Sequence, residues 1–180
     1  MALIDKISIE IADRLEHKNN MPPKDIIFYS VSFLITNILS VIILILIGLT
    51  TGCLNEILLI TASFAILRRV SGGFHFSKPD LCVTVSVLIF TSSALFISSI
   101  TFIADYLVII NCVSFIVLSV FAPSNLEGTS RIDKKWYPYL KIISLILAII
   151  SLIVNDPYVT AGIFLQSIST IRLRGGEKND

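Results

Sequence analysis

From Ile26 to Leu49 the chain carries no Asp, Glu, Lys or Arg. A helix over that stretch is roughly 36 Å long at about 1.5 Å per residue, enough to cross the ~30 Å hydrocarbon core of a bilayer. The rest of the 180 residues agrees: 54% are hydrophobic, only 15% are charged and mean hydropathy is +0.86, which fits an integral membrane protein better than a soluble domain. The formal net charge of +1 conceals a sharper pattern, because the charges sit at the ends of the apolar segments.

Residues 1–18 do not read as a cleaved signal, which places a short basic segment before one continuous apolar core. Leu3, Ile4, Ile7, Ile11 and Leu15 recur at helical spacing, with Asp5, Lys6, Glu10, Asp13, Arg14 and Glu16 supplying a polar side. An amphipathic helix is expected, lying at the interface or covering a groove between membrane helices, with a soluble packing helix as the alternative. A polar hinge at 19–25 containing Pro22-Pro23 leads into the first span, and residues 50–55 turn the chain. Ile57–Leu67 is a short second segment, Leu81–Ala104 a full-length third, and Tyr106–Phe121 a shorter fourth, with Asp105 at the join. After a connector at 124–135, Trp136, Tyr137 and Tyr139 are candidate interface anchors for a fifth segment, Leu140–Val154. Asn155-Asp156-Pro157 breaks the chain before a short sixth, Tyr158–Ile171.

Because lipid offers the backbone no hydrogen-bond partners, the spans must be helical. The expectation is an all-α, polytopic integral membrane helical bundle with six hydrophobic segments and an N-terminal amphipathic helix. Four full spans plus two interfacial or broken segments is the alternative. Connectors are short, so residues 1–180 are expected to form a single membrane domain. Gly48, Gly52 and Gly162 read as turn or close-packing positions.

With six crossings, every Lys and Arg falls on one side. Lys6, Arg14, Lys18 and Lys24 precede the first span; Arg68, Arg69 and Lys78 follow the second; Arg131, Lys134, Lys135 and Lys141 flank the connector; Arg172, Arg174 and Lys178 end the chain. Glu56, Asp105 and Asp156 mark the opposite turns. The positive-inside rule then predicts a multi-pass cell-membrane protein with both termini and the loop carrying His75 and Cys82 in the cytoplasm.

Chemistry concentrates between Arg68 and Cys82. His75 and Cys82 are seven residues apart, which in one straight helix is roughly 10 Å of rise, too far for proton transfer across direct contact of about 3 Å. Gly72, Gly73 and Pro79 supply a break that lets the chain turn back. With Ser77 as N-cap and Asp80 as a weaker capping-box acid, Cys82 is expected near a helix start, where a helix field and a neighbouring imidazolium favour thiolate. His75 can alternatively act as an uncharged base. The residues alone also fit a plain structural reading: Ser71-Gly72-Gly73 as a turn, His75 at the interface and Cys82 packed in a helix. Cys53 and Cys112 have weaker cases, and no paired cysteine spacing suggests a metal or a redox disulfide.

Arg68-Arg69, Gly72-Gly73-Phe74-His75 and Cys82 resemble the signature of the accessory gene regulator B family, membrane cysteine endopeptidases that process a quorum-sensing precursor peptide. The similarity extends to the amphipathic start, the short second segment and the later Ala122-Pro123-Ser124-Asn125 stretch. It implies Cys82 as nucleophile and His75 as general base and acid. The implied product is an enzyme thioester, which a cysteine of the peptide resolves into a thiolactone autoinducer. Oxyanion or loop support falls to Gly72 and Gly73 or to the amide of Cys82. Arg68, Arg69, Ser71, Lys78, Asp80, Pro123 and Asn125 are candidate substrate contacts, with Glu127, Arg131 and Asp133 as further polar groups nearby. Each has a simpler role as well: topology for the arginines, capping for Asp80, and a helix stop for Pro123.

The implied partners are a precursor of the autoinducing-peptide type, membrane lipids and a second copy in a homodimer. No nucleic-acid partner is expected, since the basic residues are split among short loops. Without a phosphate loop, an HExxH motif or a metal-ligand cluster, no cofactor or metal is expected. A nonenzymatic transporter or scaffold is the competing class, although the apolar segments hold few charged pathway residues.

Overall fold

The computed structural model describes residues 3–16, 22–74, 79–100, 106–124 and 133–171. All regular elements among them are helical: α1 (Leu3–Glu16), α2 (Lys24–Thr51), α3 (Leu54–Ser71), α4 (Pro79–Ser98), α5 (Leu107–Phe121), a 3-10 turn (Lys134–Trp136), α6 (Tyr137–Val154) and α7 (Pro157–Ser169). The chain divides into two compact units, residues 1–54 with 75–91 and residues 55–74 with 92–180.

In the first unit α1 packs on α2, and an ion pair joins Lys24 to Asp13. The buried seam of α1 is Ile4, Ser8 and Ala12, while Ile7 is 40% exposed. The apolar stripe expected from sequence is therefore rotated toward small residues, which allow closer approach of two backbones than a row of isoleucines does. α2 spans 28 residues, roughly 42 Å, and ends at Gly52 with φ 74°, a left-handed cap. Gly48 serves close packing, since a Cβ there would stand 2.9 Å from the Cα of Leu54.

The second unit is built inside out relative to a soluble domain. α6 buries Ser144, Ala148 and Ser151, whereas Ile146 and Ile153 are 48% and 75% exposed. α5, which packs against α6 and α7, buries Asn111, Ser114 and Leu118. Asn111 Nδ2 donates to Thr160 Oγ1 of α7 at 3.0 Å. Large apolar side chains outside and small polar ones inside is the pattern of helices that meet in lipid, where packing and interhelical hydrogen bonds replace the hydrophobic drive. Gly162 lets α7 cross α3 closely, because a Cβ there would lie 2.5 Å from the Ile60 carbonyl oxygen. α7 starts cleanly: Asp156 Oδ1 accepts from the amides of Tyr158 and Val159, both at 2.9 Å, and Pro157 takes the first helical position.

The chain is an all-α polytopic membrane protein, but the expected six hydrophobic spans are not found. Among the described residues three helices are long and apolar enough to cross a membrane: Lys24–Thr51, Asp80–Ser98 and Lys134–Val154. The others fail for physical reasons. α5 and α7, with 15 and 13 residues, reach only roughly 22 and 20 Å. α3 has 18 residues but carries Glu56, Arg68 and Arg69.

Candidate active site

α3 ends at Ser71, and the chain leaves it through Gly72 (φ 66°) and Gly73 (φ 128°), backbone conformations that favour glycine. Hydrogen bonds within the second unit pin this exit from two directions. Ser124 N–H donates to the Ser71 carbonyl at 2.9 Å and Gly73 N–H to the Ser124 carbonyl at 3.0 Å, forming a parallel bridge between Gly72 and Ser124. Phe74 N–H donates to the Ser169 carbonyl at 2.8 Å, and Gly72 N–H to the Arg68 carbonyl at 3.1 Å. The glycine pair and the Ala122-Pro123-Ser124 stretch, far apart in sequence, thus form one structure. Ala122–Pro123 is a cis peptide, and Pro123 is half-buried.

Side chains complete the clasp. Gln166 of α7 is fully buried; its Nε2 donates to Ser71 Oγ at 2.9 Å and to the Gly72 carbonyl at 2.6 Å. Its Oε1 accepts from Ser169 Oγ at 2.9 Å and from Arg68 Nη1 at 3.5 Å. Arg68 Nη2 donates to the Phe74 carbonyl at 2.6 Å, and its guanidinium carbon lies 5.6 Å from the centroid of the Phe64 ring. Ser71, completely buried, donates to the Leu67 carbonyl at 2.9 Å. Arg69, by contrast, is exposed.

In the first unit, α4 begins with Pro79 at its first position and Asp80 in its first turn, an arrangement suited to a helix start. Cys82 follows at the fourth position and is half-buried, as is Asp80. Cys82 thus lies near a helix start. His75, Ser77, Lys78, Asn125, Glu127 and Arg131 lie outside the described residues. Asp133 pairs with Lys135 at 3.0 Å. Cys53 Sγ contacts the Thr51 carbonyl at 3.8 Å, and Cys112 is exposed. Among the described residues no group of three or more His, Cys, Asp or Glu could hold a metal ion.

Sequence reasoning misses Gln166 and Ser169. The available signal is that Gln166 is the one carboxamide in Tyr158–Ile171, and a polar side chain in an apolar segment usually has a partner there.

Comparison with known proteins places the chain. Accessory gene regulator protein B of Staphylococcus aureus (strain Newman) is 28% identical over 120 residues, covering 63% of this chain and 64% of the relative. Putative AgrB-like protein 2 of Clostridium perfringens (strain 13 / Type A) is 30% identical over 89 residues, 48% of this chain and 42% of the relative. The chain thus spans less than two thirds of the length of these relatives. No solved structure matches. A profile for the family described as Accessory gene regulator B matches residues 4–172, and on that match the chain belongs to the accessory gene regulator B family.

Proposed function

We propose that the chain is a membrane-embedded cysteine endopeptidase acting on a quorum-sensing precursor peptide, with Cys82 as nucleophile and His75 as its general base and acid. The observation that carries the reading is the position of Cys82 in the opening turn of α4, directly after a proline start, in a chain of this family. Helix starts leave backbone N–H groups without intrahelical partners and favour negative charge.

In the proposed reaction His75 takes the Cys82 proton and the sulfur attacks the scissile carbonyl. As the C–N bond breaks, His75 returns the proton to the departing amine, and the carboxyl-terminal fragment leaves. The retained peptide is then a thioester on Cys82. A thiol of the peptide attacks that carbonyl, closes a thiolactone and regenerates the Cys82 thiol. Thioester exchange preserves acyl activation that hydrolysis would discard, so exclusion of water favours the ring.

The hydrogen bonds bear on the remaining roles. The N–H groups of Gly72 and Gly73 already donate to Arg68 and Ser124 carbonyls, which supports loop support over oxyanion binding for this pair. Amides in the first turn of α4 are then the preferred oxyanion donors. Arg68 and Ser71 are committed to the clasp, leaving exposed Arg69, with Lys78, Asp80, Pro123 and Asn125, for precursor contact. Arg68, Arg69 and Lys78 also support a cytoplasmic position for this turn. In a variant lacking the three native cysteines, a single cysteine at Phe74, which is 47% exposed, should react with a membrane-impermeant thiol reagent only after the inner membrane is opened. Labelling in intact cells would reverse that orientation.

The reaction is tested by mass analysis after the protein is combined with the precursor peptide encoded beside it. The expected products are a released carboxyl-terminal segment and a retained peptide one water lighter than its linear form. An intact precursor, recovered after demonstrated binding to folded protein, would contradict the assignment.

A further inference from the structure

A cavity of about 310 Å³ opens between α5 and α6, both within the second unit. Asn111 and Ala148, each 2% exposed, are its most buried lining, and Ile116 and Ile149, 59% and 46% exposed, are its most open. Apart from the weakly bonding Cys112 thiol, Asn111 is the one polar side chain among the described residues of that lining. Its Nδ2 is accounted for, donating to the Leu107 carbonyl and to Thr160 Oγ1, both at 3.0 Å. Its Oδ1 is buried and has no hydrogen-bond partner. Exchanging the two ends of the amide would set an oxygen 3.0 Å from the Leu107 carbonyl, acceptor against acceptor, so the nitrogen belongs where it is. A buried acceptor without a donor is costly, and hydrocarbon cannot supply one. Water suits the place poorly, because it needs roughly two to four polar partners and the rest of the lining is apolar but for the thiol.

We infer that this cleft binds a compact apolar molecule with one hydroxyl group, which donates to Asn111 Oδ1 while the apolar body lies against Ile116 and Ile149. The volume stands at the lower end of the roughly 300–1,000 Å³ usual for small-molecule sites. From Asn111 to Ile116 the α5 wall is roughly 7.5 Å long. That length suits a single ring; an extended acyl chain is longer, and a second helix is roughly 10 Å across. The hydrocarbon tails of surrounding lipid also carry no donor for Oδ1. The occupant is therefore a free monocyclic alcohol or phenol dissolved in the lipid phase, and its site makes no use of the Cys82 chemistry proposed above.

The test is equilibrium dialysis of radiolabelled thymol, and of thymol methyl ether, against lipid nanodiscs with and without the full chain. The ether keeps the ring and alkyl groups but has no hydrogen to donate. Binding is counted as the saturable excess over protein-free discs and referred to each probe's concentration in the lipid, which removes the difference in partitioning. Thymol should bind about fivefold more tightly than the ether, the scale of one hydrogen bond. Asn111→Leu should bring thymol down to the level of the ether and leave the ether unchanged. Ile149→Trp, a lipid-side substitution that fills the mouth, should remove saturable binding of both, and it serves if the first variant does not fold. Equal affinities in the parent would make the cleft a plain resting place for lipid chains and overturn the inference. So would the absence of saturable thymol binding, a preference that survives in folded Asn111→Leu, or binding indifferent to Ile149→Trp. A dimer in the nanodisc that Ile149→Trp separates would give the cleft to a second copy of the chain and overturn it as well.

Discussion

Replacing Cys82 with alanine should abolish precursor cleavage and thioester formation together, a loss of roughly 10⁴-fold or more, the scale seen when a covalent nucleophile is removed. Alanine keeps the backbone of the opening turn of α4, so protein abundance should be unchanged. His75→Ala should slow acylation strongly but leave a residue of activity, because a thiol is partly ionised without a base. The parallel readout is precursor processing in membranes at matched abundance. Normal processing by the Cys82 variant would remove the proposed nucleophile, and an adduct on Cys53 or Cys112 would move the assignment there.

Gly73→Ala should have the next largest effect although no reacting atom is touched. At φ 128° an L side chain is strained, by about 1–3 kcal/mol. A Cβ there would also stand 2.7 Å from Ser169 Oγ and 3.1 Å from the Ser169 carbonyl oxygen. That carbonyl accepts the Phe74 N–H, so relief of the clash pulls apart the hold on the residue preceding His75. A displacement of this kind should cost about 100-fold in processing. Gly52→Ala is the matched control: its φ is also positive, at 74°, yet a Cβ would meet nothing within 4 Å, and it should lose only the glycine backbone advantage of roughly 1 kcal/mol. Equal processing by the two variants would show that contact with α7 is irrelevant to the site.

Much of the local structure was legible because its causes are local. The break at Asn155-Asp156-Pro157, the Gly72-Gly73 exit and a helix start shortly before Cys82 each follow from backbone preferences of a few residues. The membrane class follows just as directly from uncharged runs such as Ile26–Leu49. What was not legible depends on partners. The seam of α1 follows Ile4, Ser8 and Ala12 because α2 lies against it, and no periodicity of apolar residues announces a seam made partly of small ones. Hydropathy overcounted the spans because it registers apolar runs without the helix lengths that the breaks around α5 and α7 impose. The tie between Ser124 and Gly72, and the bonds of Gln166 to Ser71 and Gly72, join residues distant in the chain. Arg68 and Ser71, polar residues beside a glycine turn, also bond that turn's own backbone and Gln166, partners that the sequence alone does not announce.

The most direct measurement is mass spectrometry of the protein itself after brief reaction with a precursor whose internal cysteine is changed to serine, which weakens the step that discharges the acyl group. The proposed chemistry predicts a peptide acyl adduct, labile to hydroxylamine, on the fragment containing Cys82 and absent from Cys82→Ala. Cleavage of the precursor by Cys82→Ala, or an adduct confined to Cys53 or Cys112, would contradict it.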